Sequence, residues 1–333
     1  MPKTRQIHLA RRPRGAPSKE DFTLVAVELP EPQPGEVQVR NTWMSVDPYM
    51  RGRMDDGPSY AAPWQIGGPA DGMALGEVTA SDADGFEVGD LVLSNLGWRE
   101  AFTAPAAAVE RLDSNGMPPE AFLGIAGIPG LTAWAGLLQV ADLQNGDVVF
   151  VSGAAGAVGS VVCQIAKAKG HTVIGSAGGA AKTAFLKDIG VDHVIDYKTD
   201  KRINSALRAV APDGIDVYFD NVGGSHLEAA IGNAREFARF AICGMISVYN
   251  NTEPTPAPRN LALVMGKSIR MQGFLVSTYY DRKPELIAEI ARLYAEGKMS
   301  MRNTVYEGLE NAPRAFLGLF TGDNVGKMLV KLA

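Results

Sequence analysis

Residues 148–179 read VVFVSGAAGAVGSVVCQIAKAKGHTVIGSAGG, with Gly153, Gly156 and Gly159 spaced by three between an apolar run and an apolar-striped helix. A Gly-rich turn that ends a strand and opens a helix points backbone N–H groups outward, and such groups bind anions. A dinucleotide pyrophosphate is the usual guest. The G-x-G-x-x-G form is imperfect here, because Ala154 stands at its first glycine, while the three-spaced form is intact. The context of strand, turn, helix and second strand carries the reading.

The end of the second strand discriminates between cofactors. A site for NAD places an acid about 20 residues on, to bind the ribose 2′-hydroxyl. This strand ends IGSAGGAAK, and no acid follows before Asp188. Gly178 and Gly179 open space there and Lys182 supplies a cation. These residues suit a 2′-phosphate, so NADPH is expected over NADH.

The elements that must position this turn follow from the wider pattern. With 333 residues and 46% apolar content, the chain is long enough for two domains. Up to about residue 120, FTLVAVELP, EVQVRNTWMSV and DLVLSNL are short, β-branched-rich runs punctuated by Pro and Gly. That predicts a mostly β domain. Beyond it, GIPGLTAWAGLLQVADL reads as helix. The strands HTVIGSA, DHVIDY, IDVYFDNVGG, FARFAICGMIS and SIRMQGFLV then alternate with helices near 157–169, 181–189, 202–210, 225–233 and 284–297. Such alternation predicts parallel strands with crossover helices on both faces, an α/β fold. Val158, Val162 and Ile165 form the stripe by which the first helix packs on the sheet. The tail reads as a helix and then a strand that can return to the first domain.

Several function classes are disfavoured. The net charge is −5, and the one basic cluster, KTRQIHLARRPRG, lacks interleaved aromatics. It reads as a solvated edge, and no nucleic-acid partner is expected. No apolar run reaches the ~18 residues of a membrane span, and no signal-peptide pattern is visible. The expectation is a cytoplasmic protein. Cys163 and Cys243 each read as a small core residue in an apolar element, with no disulfide. His8, His171, His193 and His226 are scattered, so no metal site is expected.

SVDPYMRGRM, GIPGLTAWAGL, GAAGAVGSVVCQIAKAKG, GIDVYFDNVGG, AICGMISVYN, IRMQGFLV and EGLENAPRAFLGLFTGDNVGKMLVK run in order through nearly the whole chain. Together they resemble the zinc-free medium-chain dehydrogenase/reductase enzymes that reduce activated carbon–carbon double bonds. DPYMRGRMDDGPSY is most similar to the bacterial curcumin-reductase branch. The resemblance implies a GroES-like β domain, 1–122 with 306–333, around a doubly wound Rossmann domain, 123–305. It also implies a homodimer formed through the Rossmann sheets. Carried over motif by motif, Gly156, Ala157, Val158, Gly159 and Ser160 face the pyrophosphate. Lys182 and Tyr197 hold the 2′-phosphate and adenosine end, and Asn221 lies by the ribose. Cys243, Gly244, Ile246, Ser247 and Tyr249, with Phe274, Leu275 and Val276, line the nicotinamide. Asn324 closes the site from the tail.

The implied reaction needs a handler of negative charge other than a metal. When hydride adds to the β carbon of an enone or alkenal, charge gathers on the carbonyl oxygen and a proton ends on the α carbon. Hydrogen-bond donors aimed at that oxygen stabilise it. Tyrosine hydroxyls, with an ordinary pKa of about 10, are neutral donors at pH 7. Tyr49, Tyr60 and Tyr249 are the candidates. The resemblance makes Tyr249 the proton donor or enolate anchor and gives Tyr49 and Tyr60 to the substrate. Water or the cofactor's ribose hydroxyl are alternative proton sources. A quinone oxidoreductase and a non-catalytic NADPH-binding protein are the competing functions.

Overall fold

The computed structural model describes residues 2–200 and 202–332. The β-branched runs of the N-terminal part become strands β1 (Lys3–Leu9), β2 (Phe22–Glu28), β3 (Glu36–Ser45), β4 (Ala74–Ser81), β5 (Leu91–Ser94), β6 (Ala101–Pro105) and β7 (Val109–Arg111), with one short helix, α1 (Met50–Arg53). Next come α2 (Ile128–Ala135), β8 (Val148–Ser152), α3 (Ala157–Ala168), β9 (Thr172–Ala177), α4 (Ala180–Asp188), β10 (His193–Asp196), α5 (Ile203–Val210), β11 (Ile215–Asp220), α6 (Gly224–Asn233), β12 (Ala234–Ile242), α7 (Ala262–Gly266), β13 (Arg270–Gly273) and α8 (Lys283–Ala295). The tail supplies β14 (Asn303–Glu307), α9 (Ala312–Thr321) and β15 (Lys327–Lys331).

The chain divides into two compact units, one of residues 1–123, 303–324 and 328–333, the other of 124–302 and 325–327. In the first unit a seven-stranded sheet runs β14-β15-β3-β4-β5-β7, with β6 also on β3, and β1 and β2 form an antiparallel pair. Its main core gathers Ile7, Leu9, Phe22, Met50, Trp64, Trp98 and Phe316. The Phe22 and Trp98 rings stack at 5.6 Å. The basic cluster begins with β1, whose Thr4, Ile7 and Leu9 are buried, while its cations Lys3, Arg5, Arg11 and Arg14 are exposed, as expected of a solvated edge. Arg5 bonds Glu100, Arg11 bonds Asp21 and Arg12 lies beside Asp56.

In the second unit six parallel strands run β10-β9-β8-β11-β12-β13. Counted from β8, that is the doubly wound order 3-2-1-4-5-6, and the direction of winding reverses between β8 and β11. Ligands bind at such a reversal, beyond the carboxyl ends of the strands. Phe150, Ile174, Ile215, Tyr218, Leu227 and Phe240 belong to a core on this sheet. The helix after the Gly-rich turn is more enclosed than a single stripe: Gly159 to Ala166 are all buried and Val158 only half-buried. Three expected strands end early. β11 stops at Asp220, β12 at Ile242 and β13 at Gly273, so Asn221–Gly223 is a turn, Cys243–Tyr249 a loop holding one 3-10 turn at Ile246–Val248, and Phe274–Val276 lies beyond the sheet. Cys163 is in the core as expected, but Cys243 is half-buried in a loop.

Candidate active site

The Gly-rich turn leaves β8 at Ser152 and enters α3 through Gly156. Gly153 has φ 59°, the left-handed region open to glycine. Gly159 is required by close approach: a Cβ there would lie 2.8 Å from the Ala154 Cα and on the Gly153 carbonyl. Ala154 N–H donates to the Ser176 carbonyl at 3.0 Å, which fixes the turn between the ends of β8 and β9. No side chain caps α3. Its first amides, those of Ala157, Val158 and Gly159, therefore open at the carboxyl edge of the sheet, the arrangement that receives an anion. Ser160 lies just inside the helix and is buried.

At the ends of β9 and β10 a second group assembles. Lys182 is half-buried in the first turn of α4, which also has no side-chain cap. The Tyr197 ring lies against Gly178, where a Cβ would stand 2.6 Å from its Cζ. The same ring meets His226 edge-on at 5.5 Å. His226 is buried, its Nε2 lies 3.0 Å from Ser176 Oγ, and burial pulls its pKa down to about 4. Burial and neighbouring Asp196 push the Tyr197 phenol up. Asp196 was not foreseen as part of this site, because it comes from the neighbouring strand rather than from β9. Its Oδ1 accepts the Gly179 and Lys198 amides, each at 3.0 Å.

The loops after β11 and β12 meet each other. Asn221 donates through Nδ2 to the Ser152 carbonyl at 2.8 Å, tying its loop to β8. Ile246 N–H donates to the Asn221 carbonyl at 3.3 Å, and Ser247 Oγ to the Val222 carbonyl at 2.6 Å. The half-buried Tyr249 turns back over this loop, where its Oη accepts the Met245 N–H at 3.2 Å. Burial raises its pKa, so it is a phenol across the neutral range. Burial, with Asp220 nearby, pushes the Cys243 thiol up to about 12, which makes it a poor nucleophile. Phe274 packs edge-on against Phe219 at 6.3 Å, while Leu275 is exposed and Val276 half-buried.

The tail reaches the Gly-rich turn through the NVG segment that follows Asp323. Gly326 N–H donates to the Ala155 carbonyl at 2.7 Å, and Gly326 bridges to Gly156. Asn324, two residues earlier, is half-buried. Tyr49 and Tyr60 belong to the first unit. Tyr49 precedes α1 and packs on the core, and burial first, then Asp47, raises its pKa. Tyr60 is 68% exposed, in a 54–68 segment anchored by buried Trp64. Among the described residues no three His, Cys, Asp or Glu side chains cluster as metal ligands.

Comparison with known proteins agrees along the whole length. The family described as the N-terminal domain of oxidoreductase matches residues 5–112, and that described as zinc-binding dehydrogenase matches 157–292. The chain is 38% identical to the NADPH-dependent curcumin reductase of Escherichia coli, over 98% of this chain and 96% of that protein. It is 39% identical to the NADP(+)-dependent 2-alkenal reductase of Nicotiana tabacum, over 99% and 97%. The crystal structure of CurA in complex with NADPH from Vibrio vulnificus superposes with a TM-score of 0.93 at 42% identity, covering 99% of each chain. With the three-spaced glycine turn, the 3-2-1-4-5-6 sheet and this end-to-end similarity in one chain, the protein belongs to the medium-chain dehydrogenase/reductase family, in its double-bond reductase branch.

Proposed function

We infer that the chain reduces the α,β carbon–carbon double bond of enones and 2-alkenals with NADPH. The observation that carries this is an uncapped α3 N-terminus at the sheet's reversal point, in a chain similar from end to end to NADPH-dependent reductases. The residues fit that cofactor. Gly156 brings no Cβ over the α3 amides, and a Cβ at Gly179 would meet open space beside Lys182. In this reading the Gly156–Ser160 segment holds the pyrophosphate, Lys182 and Tyr197 the 2′-phosphate end, and Asn221 the ribose. The 243–249 loop, Phe274–Val276 and Asn324 surround the nicotinamide. NADPH, when bound, supplies the hydride that adds to the β carbon.

Tyr249 handles the proton. Its oxygen already accepts from Met245 N–H, so its own O–H is directed to a second acceptor. That acceptor is the carbonyl oxygen as charge develops there, or the α carbon as the proton is delivered. Tyr49 and Tyr60 contact the substrate in the same reading. The unit containing 124–302 is the cofactor domain, and the first unit is the substrate domain.

Steady-state turnover of enones, 2-alkenals and a simple quinone, each with NADPH and NADH, tests the reading. Enone and alkenal reduction is expected, with NADPH preferred by roughly tenfold or more, the worth of ~1.4 kcal/mol of 2′-phosphate contact. Equal use of NADH removes the Lys182 and Tyr197 assignment. Preference for the quinone moves the chain to quinone reduction. Cofactor binding without turnover leaves a binding protein.

We further propose a homodimer through the second unit's sheet, whose last strand is β13. Beside it Leu261, Leu263 and Met265 are exposed, Met265 at 83%. Exposed apolar side chains next to a strand edge favour burial against a second copy. Sedimentation of the wild type should give a dimer and Met265→Glu a larger monomer fraction. A wild-type monomer at micromolar concentration sinks the assignment. The free thiols Cys163 and Cys243 suit a reducing compartment, and we assign the chain to the cytoplasm.

A further inference from the structure

A buried polar knot lies at the carboxyl ends of β8 and β11. Asp220, the last residue of β11, is fully buried. Its Oδ1 accepts from Tyr218 Oη at 2.7 Å, Gly223 N–H at 2.8 Å, Val222 N–H at 2.9 Å and Ser152 Oγ at 3.0 Å. Its main-chain carbonyl accepts the amides of Cys243 at 2.9 Å and Gly244 at 3.0 Å. Ser152 Oγ accepts the Asn221 amide at 3.0 Å, so β8 joins the same knot.

One residue thus fixes two loops. The carboxylate gathers the 221–224 turn, and the carbonyl gathers the start of the 243–249 loop. A carboxylate buried without a cation is a costly way to fill a core position. Burial pushes its pKa up, and the four donors work against that. What the position gains is an acceptor able to orient several donors at once. The second oxygen, Oδ2, has no hydrogen-bond partner among the described residues.

We propose that Asp220 is a positioning residue, holding the 221–224 turn and the 243–249 loop in the register at which the nicotinamide half of the cofactor and the Tyr249 hydroxyl meet the substrate. It acts through those loops and touches neither cofactor nor substrate. The adenosine half depends on the ends of β9 and β10, to which Asp220 makes no hydrogen bond. The inference rests on the NADPH reading above.

The test separates the two halves. Asp220→Asn keeps the side-chain volume and one acceptor oxygen, loses the charge, and sets an N–H₂ group where Oδ2 has no partner. Tyr218→Phe and Ser152→Ala remove single members of the knot and serve if Asp220→Asn does not fold. Titration calorimetry with 2′,5′-ADP, the adenosine half alone, and with NADP⁺ is combined with kcat, KM for an enone, and Tm. Asp220→Asn is expected to bind 2′,5′-ADP like the wild type and to bind NADP⁺ roughly tenfold more weakly, about one lost hydrogen bond. Its kcat should fall on the order of 10²-fold, the effect of a small misplacement of reacting groups, with KM little changed. Tyr218→Phe and Ser152→Ala should show the same split at smaller size. Parallel loss of 2′,5′-ADP and NADP⁺ binding with a lower Tm would make the role merely structural and overturn the proposal. So would unchanged NADP⁺ affinity and kcat in Asp220→Asn. If the wild type does not bind 2′,5′-ADP, the NADPH reading fails first and takes this inference with it.

Discussion

At the residue scale the proposed chemistry turns on two tyrosines held in different ways. Tyr249 keeps its proton because burial raises its pKa, and the Met245 amide occupies one side of its oxygen. Tyr249→Phe should lower kcat on the order of 10²-fold, the usual worth of a general acid, with a much smaller change in NADP⁺ affinity. In the proposed role the protonated phenol is the active form. Its raised pKa means that the wild-type rate should stay level through neutral pH and fall only above the ordinary tyrosine value of about 10. A pH–rate profile that falls near pH 7 would remove Tyr249 as the proton source. Tyr197 is placed by what is missing beside it. A methyl group at residue 178 would strike its ring at 2.6 Å from Cζ. Gly178→Ala should therefore cut the preference for NADPH over NADH by roughly tenfold and leave turnover with NADH intact, an effect of ~1–3 kcal/mol. Tyr197→Ala should reproduce it, and the double variant should add nothing more.

At the element scale the site depends on how closely α3 meets the turn that feeds it. Gly159 lets the first turn of the helix lie on Gly153 and Ala154. Gly159→Ala should cost about 1–3 kcal/mol as overpacking against backbone that cannot yield. Denaturant unfolding should show that loss together with weaker NADP⁺ binding. An unchanged midpoint would mean the turn has more slack than its contacts imply. Helix α6 carries a second constraint, because its His226 is buried with a pKa near 4 while an unfolded histidine titrates near 6.5. Below about pH 6.5 the unfolded chain takes up the proton first. Stability is therefore full above that pH and is lost as pH falls toward 4, by up to on the order of 3 kcal/mol. His226→Gln should flatten that part of the Tm-versus-pH curve, and an unaltered curve would show that other groups set it.

At the scale of the whole molecule, each unit has its own hydrophobic core, and the chain leaves the first unit near residue 123 and returns to it near 303. The Gly-rich turn, Tyr197 and the 221–224 and 243–249 loops, to which the cofactor is assigned above, all belong to the second unit. A ligand stabilises the structure that binds it, by about 2.7 kcal/mol at a hundredfold excess over Kd. In differential scanning calorimetry NADP⁺ should shift the transition of the second unit. A shift confined to the first would place the cofactor elsewhere.

The sequence by itself determined the class of fold and the position of the Gly-rich turn between β8 and α3. These rest on local rules: β-branched runs punctuated by Gly and Pro, alternation of strand and helix, and glycines where a strand hands over to a helix. Lys182 was singled out by the missing acid beside it, whereas Tyr249 was singled out by the family resemblance alone. What the sequence lacked was any record of contacts between distant segments. Strand order brought Asp196 from β10 to the Gly179 amide at the end of β9, and the tail brought Gly326 to Ala155. Asp220 read as one more residue of an apolar strand, although it gathers amides from two loops and hydroxyls from two strands. Hydrogen bonds between elements depend on which strands lie side by side. That adjacency is set when the whole sheet buries its two faces, so only the tertiary structure decided it.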